Sequence, residues 1–181
     1  MRIYKCLNTQ EFVSGEYKIV PIRLIDRFDI MKWRNEQMYH LRQNHPLTVE
    51  DQEIYFSNVV SKLFDKDHPN QILFSLLENE NFIGYGGLVH LDWEKKSGEI
   101  SFLISTELES NFFEKFWSLF LQLIEQVAFN VLKFNKIYTY AYDLRPRLFV
   151  CLEDANYKLE SILEEPNNRI IIHSKYNTCA E

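Results

Sequence analysis

Between residues 98 and 143 the spacing of apolar residues changes twice, and the rest of the chain is arranged around those changes. Gly98-Glu-Ile-Ser-Phe-Leu-Ile104 alternates apolar and polar side chains, which predicts a half-buried strand. Phe113, Phe116, Trp117, Phe120, Ile124, Val127, Ala128 and Val131 then recur at steps of three and four, lining one face of a long helix. Lys136-Ile-Tyr-Thr-Tyr-Ala-Tyr-Asp143 is rich in aromatic and β-branched residues and predicts a second strand. Strand, helix, strand at this spacing is a βαβ unit with parallel strands and a right-handed crossover. Ligands of such units favour the carboxyl ends of the strands and the start of the helix.

The remaining pattern extends this unit in both directions. Arg2–Leu7 and Tyr17–Ile22 read as short strands around a polar turn containing Gly15, followed by a helix over Asp26–Asn35. Thr48-Val-Glu-Asp51 is a capping box that opens a second helix to about Phe64, with Phe56, Val59, Val60 and Leu63 as its buried face. Ile72–Glu78 and Phe82–Leu91 form a hairpin across Asn79-Glu-Asn81. Gly84-Tyr-Gly-Gly87 lies inside that strand pattern, where glycine marks a bulge or a close backbone approach rather than a phosphate loop. Arg145-Pro146 starts a helix to about Ala155, and Lys158–Leu163 and Arg169–Ser174 are closing strands. The order is β-α-α-β-β-β-α-β-α-β-β after one extra N-terminal strand, an α/β (α+β) arrangement.

Composition narrows the class. A chain of 181 residues with 46% hydrophobic content is expected to form one globular domain over 1–181. No apolar run reaches the roughly 20 residues that span a bilayer, and the N-terminus lacks the apolar block of a secretion signal. Cys6, Cys151 and Cys179 show no metal spacing and leave one unpaired, which points to reduced thiols in the cytoplasm and no metal site. A net charge of −6 argues against nucleic acid or an anionic membrane as partner.

Element order and three segments together resemble the GNAT superfamily of acyl-CoA-dependent N-acetyltransferases, over about Tyr17 to Lys175. Gly98–Ile104 is similar to the family's fourth strand, and the run from Val127 through Lys136-Ile-Tyr-Thr-Tyr140 to its central helix and fifth strand. Leu152-Glu-Asp-Ala-Asn-Tyr-Lys158 is similar to its helix-end signature, with Asn156 where glycine is usual. Met31-Lys-Trp-Arg-Asn35 with Leu47-Thr-Val-Glu-Asp51 looks like the branch that acetylates amino groups of nucleotide sugars or protein N-termini.

The resemblance implies a mixed, strongly twisted sheet flanked by helices, whose fourth and fifth strands splay apart after about Ile104 and Thr139. Acetyl-CoA, the co-substrate, would insert its pantetheine arm there and pair with the backbone of Phe102, Leu103 and Ile104. Asp143 at the end of the fifth strand, and Ser110 and Asn111 capping the helix start, complete the expected donor contacts. Glu99 occupies the family's position for the general base, and burial there would raise its pKa usefully; the other reading is a solvated glutamate on a polar face. His90 is the second candidate base. Trp33, Arg34, Asn35 and Arg42 fall where the family builds its acceptor wall, with arginine suited to phosphate or carboxylate and tryptophan to stacking. The alternative for that pair is a core anchor and a surface ion pair.

Two positions depart from the family. All five glycines lie at or before Gly98, so Ser105–Lys115 lacks the glycine loop that normally cradles pyrophosphate, and carries Glu107, Glu109 and Glu114 instead. Donor affinity is then expected to come mainly from the pantetheine arm and to resist salt. Leu152 stands where many members carry the tyrosine that protonates the leaving thiolate; Tyr140 and Tyr142 are alternatives. The expected activity is acetyl transfer to a small-molecule amine, first an amino sugar on a nucleotide carrier, and the surface leaves room for a homodimer. A non-catalytic binding protein of this fold, or an acyltransferase fed by a carrier-protein donor, are the competing readings.

Overall fold

The computed structural model describes residues 2–178; Cys179 lies outside them, and Cys6 and Cys151 are free thiols. Eight strands form one sheet in the order β1-β2-β3-β4-β5-β6-β8-β7. They are β1 (Phe12–Ser14), β2 (Tyr17–Pro21), β3 (Ile72–Glu78), β4 (Asn81–Asp92), β5 (Ser97–Ile104), β6 (Lys136–Tyr142), β7 (Lys158–Glu164) and β8 (Arg169–Tyr176). Every neighbouring pair is antiparallel except β5 and β6, which are parallel as the βαβ pattern requires. The helices are α1 (Arg27–Glu36), α2 (Val49–Tyr55), α3 (Ser61–Leu63), α4 (Thr106–Glu125) and α5 (Pro146–Asp154).

The long helix follows its apolar stripe. Phe113, Phe116, Trp117, Phe120, Ile124, Val127 and Ala128 are all buried, and Phe102 of β5 stacks on Phe120 with ring centroids 4.1 Å apart. Fully burying a side chain of this size stabilises the fold by about 1.5–3 kcal/mol. The capping box at α2 is present: Thr48 accepts from the Asp51 N–H at 3.1 Å, and Asp51 accepts from the Thr48 N–H at 2.9 Å. A π-turn over Phe56–Val60 joins α2 to α3. Its extra residue per turn rotates Val59 off the expected face, and Val59 is exposed.

The extra N-terminal strand is Phe12–Ser14, not Arg2–Leu7. Gly15, at φ +60°, makes the tight turn into β2. The earlier segment is held by side chains instead of a ladder. Gln10 accepts from the Tyr4 N–H at 2.8 Å and donates to the Tyr4 carbonyl at 3.0 Å, while the buried Tyr4 hydroxyl bonds both backbone groups of Leu73. Local bonds of this kind compete successfully with strand pairing.

The parting of β5 and β6 sets the position of the site. Only three pairs join them, ending at Glu99↔Tyr138. Beyond that point β4 still holds β5 to Ile104, and β8 still holds β6 to Tyr142. The strands therefore diverge after Glu99 on β5, five residues before the expected point after Ile104, and after Tyr138 on β6. β4 lies close to both its neighbours: a Cβ on Gly86 would meet the Ser101 carbonyl of β5 at 2.3 Å, and one on Gly87 the Ile72 carbonyl of β3 at 1.9 Å. The glycines of Gly84–Gly87 are packing residues, as their strand context predicts.

Candidate active site

Glu99 stands at the last pair before the gap and is 4% exposed, so the solvated alternative does not hold. Its carboxylate accepts from Arg42 Nη2 and lies 3.8 Å from His90 Nε2. Burial raises its pKa, and the charges of Arg42 and His90 oppose that rise. Burial beside Glu99 also raises the Tyr138 hydroxyl. His90 reaches Glu99 because a bulge in β4 sets its backbone at φ +49°; its side chain is 65% exposed. The two candidate bases and one acceptor residue, Arg42, thus meet at one point.

The other acceptor residues do not reach it. Trp33 is buried and stacks on Phe82 at 5.0 Å, so it is a core anchor. Arg34 is no surface ion pair: it donates to the Tyr85 hydroxyl at 2.9 Å and to Gln43 at 3.0 Å. Asn35 spends its side-chain amide on both backbone groups of Leu47 and on Gln43. Arg34 and Asn35 instead brace the 37–47 segment, which carries Arg42 across the gap. There the Arg42 guanidinium lies 4.8 Å above the Tyr140 ring.

The gap itself is a cleft of about 80 Å³, lined by His40, Arg42, Glu99, Tyr140, Tyr142 and Arg145 among others. Ile100, Ser101 and Phe102 of β5 face it. Leu103 and Ile104 do not: both are buried, and the Ile104 carbonyl already accepts from Gln37 Nε2 at 2.8 Å. His40 is buried as a neutral imidazole, its pKa pushed down to about 3 by burial and then by the Arg145 charge. A larger concavity of about 840 Å³ lies elsewhere, over Val20, Ile22, Phe56, Val60 and Phe64. Its charged rim is partly paired within itself, as Lys18 with Glu80 and Arg27 with Glu53, and it holds none of the groups converging on Glu99. The candidate catalytic groups line the smaller cleft.

The start of α4 also differs from expectation. Ser105 caps α4, its side chain accepting from the Leu108 N–H. Ser110 and Asn111 lie within the helix and bond back to the carbonyls of Thr106 and Glu107 at 3.0 and 2.9 Å. Asp143 is exposed and takes Arg169 at 3.3 Å, away from the cleft. Leu152 is fully buried, as is Tyr157, so neither supplies a hydroxyl to the cleft; Tyr140 and Tyr142 do line it. Sequence reasoning missed the cluster of Tyr39, His40, Glu109, Arg145 and Arg147. The one signal for it was an arginine on either side of Pro146.

These features define an acyltransferase-type site, a parted pair of parallel strands with a buried carboxylate at the fork. A family model described as acetyltransferase (GNAT) domain matches residues 19–162, and the chain belongs to that family. Members are acyl-CoA-dependent N-acetyltransferases that use acetyl-CoA. Among solved structures, a spermidine N-acetyltransferase from Vibrio cholerae in complex with CoA and spermine is similar at 14% identity, TM-score 0.78, covering 91% of this chain and 98% of that one. Mutant forms of the spermidine/spermine N-acetyltransferase of the same organism align at 15% identity, TM-score 0.75, over 92% and 97%. A putative acetyltransferase aligns at 14%, TM-score 0.68, over 93% and 87%. No curated protein matches the chain in sequence. No helix among the described residues is long and apolar enough to cross a membrane.

Proposed function

We propose that this chain acetylates a small primary amine that carries no nucleotide, with Glu99 as general base. The observation that carries this reading is the buried Glu99 carboxylate at the fork of β5 and β6, with its pKa raised by burial. An amine arrives protonated and must lose a proton before it attacks a thioester. A buried carboxylate of raised pKa accepts that proton directly or through one water. Acetyl-CoA supplies the thioester, and the open edge of β5 at Ile100–Phe102 is where its pantetheine arm would pair. Of the tyrosines lining the cleft, Tyr140 already donates its hydroxyl to Glu165 at 3.3 Å, which leaves Tyr142 as the candidate to protonate the leaving thiolate.

The acceptor follows from what the wall residues do. Trp33, Arg34 and Asn35, the residues suited to a sugar nucleotide, are committed to packing and to bracing the loop. What the fork does hold is a cation: Arg42 lies between Glu99 and the Tyr140 face. An alkylammonium group satisfies the same carboxylate and the same ring. The spermidine acetyltransferases of like fold act on such amines, which supports an aliphatic amine, polyamines included, over an amino sugar on a nucleotide carrier. The test is acetyl-CoA turnover with spermidine, a simple alkyl monoamine and a nucleotide-linked amino sugar. Turnover is expected with the first two; activity confined to the nucleotide sugar would sink the reading.

A further inference from the structure

No glycine lies within or after the start of α4, so the backbone there has no flexible loop to wrap around a phosphate. The start of α5 supplies something different. Arg145 and Arg147 flank Pro146 and both turn towards Glu109, which is 5% exposed. Arg145 Nη1 lies 3.7 Å and Arg147 Nη2 3.8 Å from Glu109 Oε1. Arg147 also donates to the Glu109 carbonyl at 3.3 Å, and the Tyr39 hydroxyl stands 3.5 Å from Oε1. None of these contacts reaches the roughly 2.7–2.9 Å of a closed charge-assisted bond. Glu109 Oε2 is buried with no hydrogen-bond partner at all.

The guanidinium groups are nevertheless fixed in place. Arg145 lies over Phe113 at 5.6 Å and Trp117 at 5.7 Å, and Arg147 over Phe113 at 4.3 Å. Arg145, with only 13% of its side chain exposed, has one hydrogen bond of 3.5 Å to His40 Nε2 among the described residues. Two forks of donors therefore face one carboxylate that bonds neither closely, leaving an excess positive charge in a largely buried place. A planar carboxylate offers two oxygens. A phosphate spreads its oxygens tetrahedrally and can engage both forks together.

We propose that Arg145 and Arg147 form a displaceable phosphate clamp, in which a phosphate of the donor's nucleotide end takes the place that Glu109 holds in the free protein. The inference rests on the acetyl-CoA reading given above. Arg145 also lines the cleft that holds Glu99, which joins the clamp to the expected donor site. The clamp reverses the expectation of salt-resistant donor binding, which considered only the residues of α4 itself.

The test titrates CoA, inorganic pyrophosphate and acetyl-pantetheine into the whole chain and into Arg147→Ala and Glu109→Gln, at low and high salt. Arg147 has 44% of its side chain exposed, so its removal leaves the core intact, and the melting curve of each variant checks this. Loss of one charge-assisted contact predicts that Arg147→Ala weakens CoA and pyrophosphate about tenfold or more. Acetyl-pantetheine should be unaffected, and Glu109→Gln should tighten pyrophosphate. Added salt should weaken CoA but not acetyl-pantetheine. CoA affinity unchanged in Arg147→Ala overturns the clamp while leaving the acetyltransferase reading intact. Pyrophosphate bound without CoA would make this a free-anion site and overturn the donor assignment. Failure of both CoA and acetyl-pantetheine to bind overturns clamp and acetyltransferase reading together.

Discussion

Two buried carboxylates, Glu99 on β5 and Glu109 near the start of α4, each face arginine. At the fork, Glu99 is held by Arg42 in a close contact, with His90 at 3.8 Å as a second neighbour. At the helix start, Glu109 faces two arginines at 3.7 and 3.8 Å and keeps one oxygen unpartnered. The difference is one of number and closeness. One arginine closes on Glu99 and also covers the Tyr140 ring. Two arginines stand over the Phe113 and Trp117 rings and share Glu109 without closing on it. A carboxylate closely engaged by one partner suits proton transfer; one loosely held between two cations suits displacement.

The largest effect expected from breaking this pair of sites is at Glu99. Glu99→Gln keeps the shape and the contact with Arg42 but removes the proton acceptor, and should lower kcat by roughly 10²–10⁴ with little change in donor affinity. A pH–rate profile left unchanged in that variant would remove Glu99 from the mechanism. Next is the strand that positions it. Gly86→Ala would put a Cβ 2.3 Å from the Ser101 carbonyl and 2.7 Å from Phe120, displacing β5 or the core beneath it. Overpacking of this kind should cost about 1–3 kcal/mol, read as a fall in the denaturation midpoint.

The fold was legible because its signals are local and repeated. The helical stripe of α4, the Thr48 capping box and the alternation of β5 each rest on spacing that neighbours in sequence determine. Glu99 was legible for a similar reason, as one carboxylate in an apolar strand. The acceptor wall was misread because Trp33, Arg34 and Asn35 are chemically suited to a ligand, and sequence does not show which partner takes them first. Here Phe82, Tyr85 and Leu47 do, from 49, 51 and 12 residues away in the chain. The arginine cluster was hidden more deeply. Glu109 and Arg147 are 38 residues apart, and only the packing of α5 beside α4 brings them together.

His40 tests whether the segment between the two carboxylates is a rigid, neutral spacer. Burial, and then the Arg145 charge, hold its pKa at about 3, whereas an unfolded histidine titrates near 6.5. Because the folded value is depressed, its contribution to stability is whole above about pH 6.5 and is lost progressively as pH falls towards 3. Between pH 7 and 5 that loss should be about 1–2 kcal/mol. His40→Leu cannot take up the proton in either state, so its melting temperature should fall less than that of the parent across the same interval. Equal slopes in the two proteins would show that His40 titrates normally when folded.

The smallest effect sharpens the comparison most, because it asks whether the partner of Glu99 is electrostatic as well as steric. Burial raises the pKa of Glu99, and the Arg42 charge and hydrogen bond pull it back. Arg42→Gln removes the charge and, being shorter, also gives up the close contact, so the Glu99 pKa should rise further. The general base must be ionised to act, and the acid limb of kcat/KM should move to higher pH by about one unit. Arg42→Lys keeps the charge and should leave the limb where it is. The measurement is a pH profile of kcat/KM for the three proteins at constant ionic strength. If Gln and Lys at position 42 shift the limb equally, the role of Arg42 is to fill space over Tyr140, and the two carboxylate sites differ in packing alone.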